Sequence, residues 1–154
     1  MLNLISNTIT ATLVSAAVAT AAVDYDQFIK DRDCLALNIY HEARGESIQG
    51  QIAVAQVTVN RAKHDFFPDS ICDVVWQDHQ FSWTNDGRSD RVRDQEAYAV
   101  ALNIAEWVLL GREDDPTNGS LFYHARGVSP FWARKVDRET VIGVHVFYTW
   151  DGRW

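Results

Sequence analysis

The sequence predicts a mainly helical α+β fold, and two features carry this prediction. Four helical patterns occupy the chain between about residues 26 and 110, each with a recognisable start or stop signal. Short segments rich in aromatic and β-branched residues come only afterwards, at residues 121–124 and 144–148, and they predict a few short strands. Because the chain has 154 residues, 47% of them hydrophobic, one domain with its own core is expected.

The first two helices meet at a tight turn, residues 41–46, with the sequence His-Glu-Ala-Arg-Gly-Glu. We expect one helix to begin near residue 26 and to end at Glu42, with Gly45 as a C-cap residue of positive φ. Ser47 is the predicted N-cap of a second helix that ends near Lys63. Its apolar residues recur at spacings of four and three, which predicts one buried face made of Ile48, Ile52, Ala55, Val59 and Ala62.

Two further helices follow along the chain. Ser70 is predicted to cap a short helix that ends near Trp76, and residues 77–91 then form a long loop. The fourth helix spans residues 94–110, and Gly111 ends it. This helix is the clearest of the four because it presents one apolar face, made of Ala97, Ala101, Ile104 and Val108.

The charge balance excludes one class of function. The chain carries 21 acidic and 14 basic residues, a net charge of −7. Nonspecific nucleic-acid binding needs Lys and Arg to neutralise phosphates, so no nucleic-acid partner is expected. Any anionic substrate has to be held by local groups rather than by the overall charge.

Residues 1–23 differ from the rest because none of them carries a charged side chain. Residues 19–21 (Ala-Thr-Ala) resemble a signal cleavage site, but the basic start of a secretory signal is missing. Polar residues argue against a membrane span here, namely Asn3, Ser6, Asn7, Thr8 and Thr10. We therefore interpret residues 1–23 as an export signal or an N-terminal arm, and residues 24–154 as the functional domain.

Glu42 is the candidate catalytic group. The helix dipole disfavours an ionised carboxyl group at the carboxyl end of a helix, and cleavage of a glycosidic bond needs a protonated acid near neutral pH. The plainer alternative is a solvated glutamate at a helix end. Glu46 is either a second catalytic carboxylate or a group that compensates the dipole of the next helix. Arg44 either pairs with one of these carboxylates or holds the turn.

Aromatic side chains beside polar groups predict a sugar-binding cleft. The aromatic candidates for its walls are Phe81, Trp83 and Trp132, and the polar candidates for positioning a sugar or the acid are Gln80, Ser82, Tyr123 and His124. The alternative for the aromatic residues is ordinary core packing.

A metal-dependent amidase or peptidase is a chemical alternative. The pair His41-Glu42 begins like a zinc-peptidase motif, but the second histidine belongs at position 45, which is glycine. His41, His124 and His145 could meet at a metal, although their spacing does not indicate it. We expect no metal and no cofactor. Cys34 and Cys72 are either two buried thiols or, in an oxidising compartment, one disulfide.

Nine short sequence blocks between residues 34 and 148 are informative together. They are residues 35–40 (LALNIY), 42–46 (EARGE), 50–57 (GQIAVAQV), 60–61 (NR), 80–83 (QFSW), 86–87 (DG), 121–125 (LFYHA), 130–133 (PFWA) and 142–148 (IGVHVFY). In this order and at this spacing they resemble the cell wall hydrolase family that includes the bacterial spore-cortex-lytic enzymes. The resemblance implies a lysozyme-like domain that cleaves the β-1,4 bond between N-acetylmuramic acid and N-acetylglucosamine in peptidoglycan, with Glu42 as the acid.

The resemblance has two further implications, which concern the reaction and the cysteines. In some members one glutamate acts first as acid and then as base, and the 6-hydroxyl of the substrate replaces water, so a second carboxylate is not obligatory. The positions of Cys34 and Cys72 are often cysteine in the family, which favours a bridge. Action is expected at the bacterial envelope, or from a phage-encoded lysin, by a monomer. The remaining alternative is a non-catalytic peptidoglycan-binding or virion structural protein with the same fold.

Overall fold

The computed structural model describes residues 25–153. The chain divides after Lys30 into two compact units, and the packing, hydrogen bonds and site residues described below belong to the second, Asp31–Trp154. The predicted export signal or arm, residues 1–23, lies outside the described residues. No helix within residues 25–153 combines the length and the hydropathy that crossing a bilayer requires.

Within this described part, four α-helices precede a three-stranded sheet, which confirms the predicted mainly helical α+β fold. The helices are α1 (residues 25–43), α2 (Ile48–Ala62), α3 (Ile71–Val75) and α4 (Gln95–Leu109). The strands are β1 (Phe122–Ala125), β2 (Asp137–Ile142) and β3 (His145–Thr149). Two short 3-10 helices, Ser82–Asn85 and Phe131–Arg134, lie in the connections.

The helix boundaries that depend on capping are confirmed. The Ser47 hydroxyl accepts the Gly50 N–H at 3.2 Å, and the Ser70 hydroxyl accepts the Asp73 N–H at 3.1 Å. These bonds satisfy N–H groups that a helix N-terminus leaves without partners. Gly111, just after α4, has a φ of 65°, as a residue that ends a helix often does.

The turn between α1 and α2 is closed differently from the prediction. Gly45 does not have a positive φ, and a Cβ there would meet nothing within 4 Å. The N–H of Glu46 instead donates to the carbonyl of Ala43 at 2.8 Å. The prediction of a left-handed Gly45 was therefore wrong, because a backbone hydrogen bond in the ordinary φ range ends the helix.

α2 is the central helix of the fold. The sequence predicted one buried face, but residues 50–59 are all buried. One side of α2 packs in the same cluster as α1 and α4, and the other packs on Phe147 through Ala53 and Val57. Ile48, which was expected on the buried face, is 50% exposed. A helix enclosed on both sides is apolar around most of its surface, so its pattern does not reveal the second contact.

The sheet is antiparallel, with β3 between β1 and β2. Tyr123 of β1 pairs with Phe147 of β3, so both side chains lie on the face that packs on α2. This pairing brings β1 to the region where α1 ends.

β2 was not predicted. It begins with three charged residues, 137–139, and half of it is exposed, so it shows no alternation of apolar and polar residues. It forms because β3 supplies its hydrogen bonds and because a two-residue turn reverses the chain. Gly143, with a φ of 57°, is the first residue of this turn, where a type II′ turn requires a positive φ.

Cys34 of α1 and Cys72 of α3 form a disulfide, with their Cα atoms 5.3 Å apart. Of the two alternatives left by the sequence, the structure therefore contains the bridge. It joins positions 38 residues apart and fixes α3 to the helix that ends near Glu42.

Candidate active site

Glu42 lies in the last turn of α1 and is partly buried. Its Oε2 accepts a hydrogen bond from the Tyr123 hydroxyl at 3.1 Å. Burial raises the pKa of Glu42 above its ordinary value, while the bond from Tyr123 and the positive charge of Arg61 lower this pKa in part. The sequence argument invoked the helix dipole, but desolvation is the main cause in the structure. A carboxyl group that favours its neutral form can serve as a general acid.

β1 positions Tyr123 beside Glu42. Burial, followed by the negative charge of Glu42, raises the pKa of Tyr123 well above its ordinary value. The phenol therefore stays protonated near neutral pH and donates its hydrogen bond to Glu42. Its ring is held by Phe147, 5.6 Å away between centroids, and by His145, 5.1 Å away.

Arg61 of α2 places a positive charge inside the core, 5% exposed. Its Nε donates to the carbonyl of Leu121 at 2.7 Å, and its Nη1 has no hydrogen-bond partner among the described residues. Three ring centroids lie 5.3 to 5.7 Å from its guanidinium carbon, those of Phe67, Phe81 and Phe122. Burial lowers the pKa of Arg61 to about 10, so it remains charged at neutral pH.

Arg61 was not assigned a role from the sequence. It is the only charged residue of α2, and it follows a stretch in which every residue from 50 to 59 is buried. A single charge in such a helix is itself a signal, because buried charges are rarely kept without a partner. Here the group of opposite charge that acts on Arg61 is Glu42.

Glu46 reaches from the α1–α2 turn to the turn between β2 and β3. Its Oε2 accepts the N–H of Val144 at 3.1 Å. The side chain fits because two glycines face it: a Cβ on Gly50 would lie 3.0 Å from the Glu46 Cβ, and a Cβ on Gly143 would collide with Oε2. Glu46 thus joins the turn to the sheet.

Arg44 pairs with neither carboxylate in the described structure. Its Nη1 donates to the carbonyl of Tyr40 at 3.2 Å, and its guanidinium lies 4.9 Å from the centre of the Tyr40 ring. It therefore holds the carboxyl end of α1, and it leaves the charge of Glu42 without an arginine in direct contact.

The four candidates in the loop after α3 lie in different environments. Phe81 and Trp83 are buried in the helical core, and the indole N–H of Trp83 donates to Asn38 at 3.2 Å. Gln80 is partly buried and Ser82 is exposed, and no hydrogen bond within residues 25–153 joins either to the acid. Trp83 also stacks on His41, with ring centroids 4.5 Å apart, so one side of its indole borders the end of α1.

His124 and Trp132 lie on the other face of the sheet from Tyr123. Adjacent residues of a strand point to opposite faces, and His124 follows Tyr123 directly. The His124 ring stacks on Tyr148 and bonds to its hydroxyl at 2.8 Å, and Trp132 packs edge-on against both rings. Strand alternation therefore separates His124 from Tyr123 and the acid, and Trp132 lies with His124 because it packs against that ring.

The histidines do not assemble into a metal site. His41 stacks on Trp83, His124 bonds to Tyr148, and His145 is buried in β3. Residues 25–153 contain no group of three or more His, Cys, Asp or Glu side chains that could hold a metal ion.

Comparison with known proteins places most of the chain in one family. The family model described as Cell Wall Hydrolase matches residues 45–148, which include Glu46, Arg61 and Tyr123. Glu42 lies just before the matched segment, so its assignment depends on its surroundings in the structure and on the resemblance of its sequence block.

The chain is similar in sequence to spore cortex-lytic enzymes. The enzyme of Oceanobacillus iheyensis is 32% identical over 125 residues, which is 76% of this chain and 41% of the relative. That of Bacillus subtilis is 32% identical over 117 residues, 73% of this chain and 35% of the relative. The chain thus spans about two fifths or less of the length of these relatives.

The fold is also similar to a solved structure, the catalytic domain of the germination-specific lytic transglycosylase SleB from Bacillus anthracis. The TM-score is 0.63 at 28% sequence identity, over 77% of this chain and 93% of that domain. The extent of the family match and the identity to the relatives together show that this chain belongs to the cell wall hydrolase family.

Proposed function

We propose that this chain is a peptidoglycan glycosidase that cleaves the β-1,4 bond between N-acetylmuramic acid and N-acetylglucosamine, with Glu42 as its general acid. One observation carries the proposal: Glu42 is partly buried, its pKa is raised by that burial, and a phenol that remains protonated donates to it. Membership of the cell wall hydrolase family and the similarity to a lytic transglycosylase support the choice of substrate.

The proposed reaction begins with protonation of the leaving oxygen. Glu42 gives its proton to the glycosidic oxygen, and the bond from this oxygen to C1 of N-acetylmuramic acid breaks. The carboxylate then takes the proton of the 6-hydroxyl, whose oxygen bonds to C1 and forms a 1,6-anhydro ring. Glu42 is protonated again at the end, so no net proton is consumed.

This route needs one carboxylate rather than a pair. Glycosidases of the usual kind place a second carboxylate across the cleft as nucleophile or base. Glu42 is hydrogen-bonded to the phenol of Tyr123 rather than to a second carboxyl group. Glu46, the other acidic residue of the turn, accepts the N–H of Val144. These surroundings support the anhydro-forming route over hydrolysis.

Tyr123 and Arg61 are proposed to stabilise the carboxylate that exists between the two proton transfers. The phenol donates to Oε2, and the guanidinium supplies positive charge from the core. Both act more strongly on the ionised form than on the acid. They lower the barrier to the first transfer without being consumed in it.

The proposed substrate implies action at the bacterial envelope or outside the cell, with peptidoglycan as the partner. The relatives are named for lysis of the spore cortex. For this chain, the envelope assignment rests on the proposed reaction.

The test is digestion of purified peptidoglycan sacculi by the wild-type chain and by Glu42→Gln, followed by mass spectrometry of the soluble products. We expect muropeptides with a 1,6-anhydro end, released about 10²–10⁴-fold more slowly by the variant. Glu106→Gln is the matched control, because it makes the same change in another partly buried glutamate, on α4, and it should digest at the wild-type rate.

Each other product has a defined meaning. Muropeptides with a reducing end, lost in Glu42→Gln, would make the chain a hydrolase with the same acid. New peptide termini on intact glycan would overturn the proposal in favour of an amidase or peptidase. Full digestion by a folded Glu42→Gln protein would remove Glu42 from the mechanism.

A further inference from the structure

A groove with an unusual charge opens at the carboxyl end of α1. Its volume is about 640 Å³, and Tyr40, His41 and Trp83 form one side of it. Four of the 14 basic residues of this acidic chain line it, namely Arg44, Arg88, Arg91 and Arg93. The groove is therefore a local exception to the net charge of −7.

The sequence between the loop and α4 explains why these arginines point outward. Val92 packs against the helical core, while Arg91 and Arg93 on either side of it are exposed. The segment has no helix or strand, and Val92 is the residue that attaches it to the core. The side chains of Arg91 and Arg93 extend into solvent on either side of this contact.

The arginines of this segment are not neutralised by neighbouring side chains. The ion pairs within residues 25–153 join Arg32 to Asp33 and Arg153 to Asp151, and no groove arginine takes part in one. Arg88, Arg91 and Arg93 also have no side-chain hydrogen bond in that part of the chain.

Two of the three aspartates in the groove are bonded to backbone N–H groups. Asp94 caps α4 by accepting the N–H of Ala97 at 2.9 Å, and Asp86 accepts the N–H of Arg88 at 2.8 Å. A carboxylate that caps a helix is stabilised where it is by the helix dipole. These bonds hold the two carboxylates at the backbone and away from the arginines, and the four arginines against three aspartates leave the lining with a net charge of +1.

The arginine segment is bonded to the helix that carries the proposed acid. The hydroxyl of Tyr40 accepts the N–H groups of Arg93 at 3.2 Å and Asp94 at 3.1 Å. His41 Nε2 lies 3.2 Å from the carbonyl oxygen of Asp90. Tyr40 and His41 directly precede Glu42, so these bonds hold the groove at a fixed position relative to the end of α1 that carries the acid.

We propose that this groove binds the peptide stem of peptidoglycan, with Arg88, Arg91 and Arg93 pairing its carboxylates while the glycan strand lies across Glu42. This inference rests on the proposed function. Peptide stems branch from N-acetylmuramic acid, the sugar that the proposed reaction attacks at C1, and they carry free carboxylates. The planar guanidinium fork matches a carboxylate with two parallel hydrogen bonds. Local arginines also offset the repulsion between an acidic protein and an anionic wall.

The test measures binding rather than turnover. The Glu42→Gln protein is bound to sacculi free of phosphate polymers, and to the same sacculi after an amidase has removed the stems. The readout is the ratio of the two dissociation constants. It is measured with the groove intact, with Arg88→Gln and Arg93→Gln together, and with Arg112→Gln as control.

Arg112 suits this control because it is exposed and lies beyond the far end of α4 from Asp94. A 15-residue helix is about 22 Å long, so the same loss of charge is made well away from the groove.

The intact groove should prefer stem-bearing sacculi by about tenfold, because each exposed ion pair contributes at most about fivefold. The double variant should bring the ratio close to one, and Arg112→Gln should leave it unchanged. A ratio that survives the double variant, or that falls equally in Arg112→Gln, would overturn the proposal. These outcomes concern binding alone, whereas failure of the proposed function appears as digestion by Glu42→Gln.

Discussion

Glu42 and Glu46 lie four residues apart around one turn, yet the sheet donates a different kind of hydrogen bond to each. Glu42 accepts a hydrogen bond from a side chain, the phenol of Tyr123, and its pKa is shifted by burial and by that bond. Glu46 is met by the backbone, the N–H of Val144, in a space that Gly143 leaves open. A side-chain donor adjusts a proton equilibrium, whereas a backbone donor in a tight turn fixes a position. The same residue type thus has the proposed catalytic role in one place and an attachment role in the other.

The largest effect beyond Glu42 itself is expected from Tyr123→Phe, which removes the donor and keeps the ring. A hydrogen bond to a charged group contributes about 1.5–3 kcal/mol, so the digestion rate should fall about 10–100-fold. The bond lowers the pKa of Glu42, so its loss should raise this pKa further and move the alkaline limb of the pH–rate profile to higher pH.

Tyr98→Phe is the control for this experiment, because it removes a phenol hydroxyl from a partly buried tyrosine of α4. An unchanged rate and pH profile in Tyr123→Phe would mean that the phenol does not act on the acid.

Gly143→Ala should have the next largest effect, because it disrupts the contact between Glu46 and the turn that joins β2 to β3. A Cβ at this position collides with Oε2 of Glu46, and the φ of 57° is unfavourable for alanine. We expect a loss of about 1–3 kcal/mol in the free energy of unfolding, measured by chemical denaturation. The loss should be less than additive with that of Glu46→Ala, because both changes break the same contact.

Gly119→Ala separates the two causes. Gly119 has a φ of 80°, but a Cβ there meets nothing within 4 Å. It carries the backbone penalty without the collision. Equal losses in the two alanine variants would show that the contact between Gly143 and Glu46 contributes nothing.

Glu46→Gln should have a smaller effect on digestion than either change above. Glutamine keeps an oxygen that can accept the Val144 N–H, so only the charge is lost, and the rate should fall by no more than about threefold. Glu46→Ala, which removes the acceptor, should lose more. If Glu46→Gln were as slow as Glu42→Gln, Glu46 would be a second catalytic carboxylate and the comparison would fail.

The smallest effect concerns the stability of Glu42→Gln. The pKa of Glu42 is raised in the folded state, so ionisation above that pKa destabilises the fold, and no such penalty exists below the ordinary pKa of glutamate. The variant should therefore be more stable at pH 7 by about 1 kcal/mol, or roughly 3 °C in Tm, with the difference vanishing at low pH. A melting curve that does not depend on the variant at pH 7 would contradict a buried, destabilised charge.

The sequence predicted what depends on local signals. The capping serines, the stop at Gly111 and the position of Glu42 at the end of a helix all follow from the identity of one or two neighbouring residues. The family resemblance pointed to the same glutamate independently. These features could be predicted because neither distant residues nor packing decides them.

What was missed depends on contacts between distant elements. β2 forms through its pairing with β3, and its charged start hides it. Burial raises the pKa of Glu42, and its hydrogen-bond donor, Tyr123, is 81 residues away in the sequence, so neither effect can be read from the helix alone. His124 and Trp132 were assigned to the same cleft as Tyr123 by side-chain type, but strand alternation sends His124 to the other face, and Trp132 packs against it there.

The disulfide has a topological consequence for the site. Cys34 and Cys72 close a covalent ring that contains Glu42 and Arg61, while Tyr123 lies outside it. The acid and its buried charge belong to one looped piece of chain, and the phenol reaches them only when β1 docks on that loop. The Glu42–Tyr123 hydrogen bond is thus the noncovalent link between the loop that the disulfide closes and a strand that lies outside it.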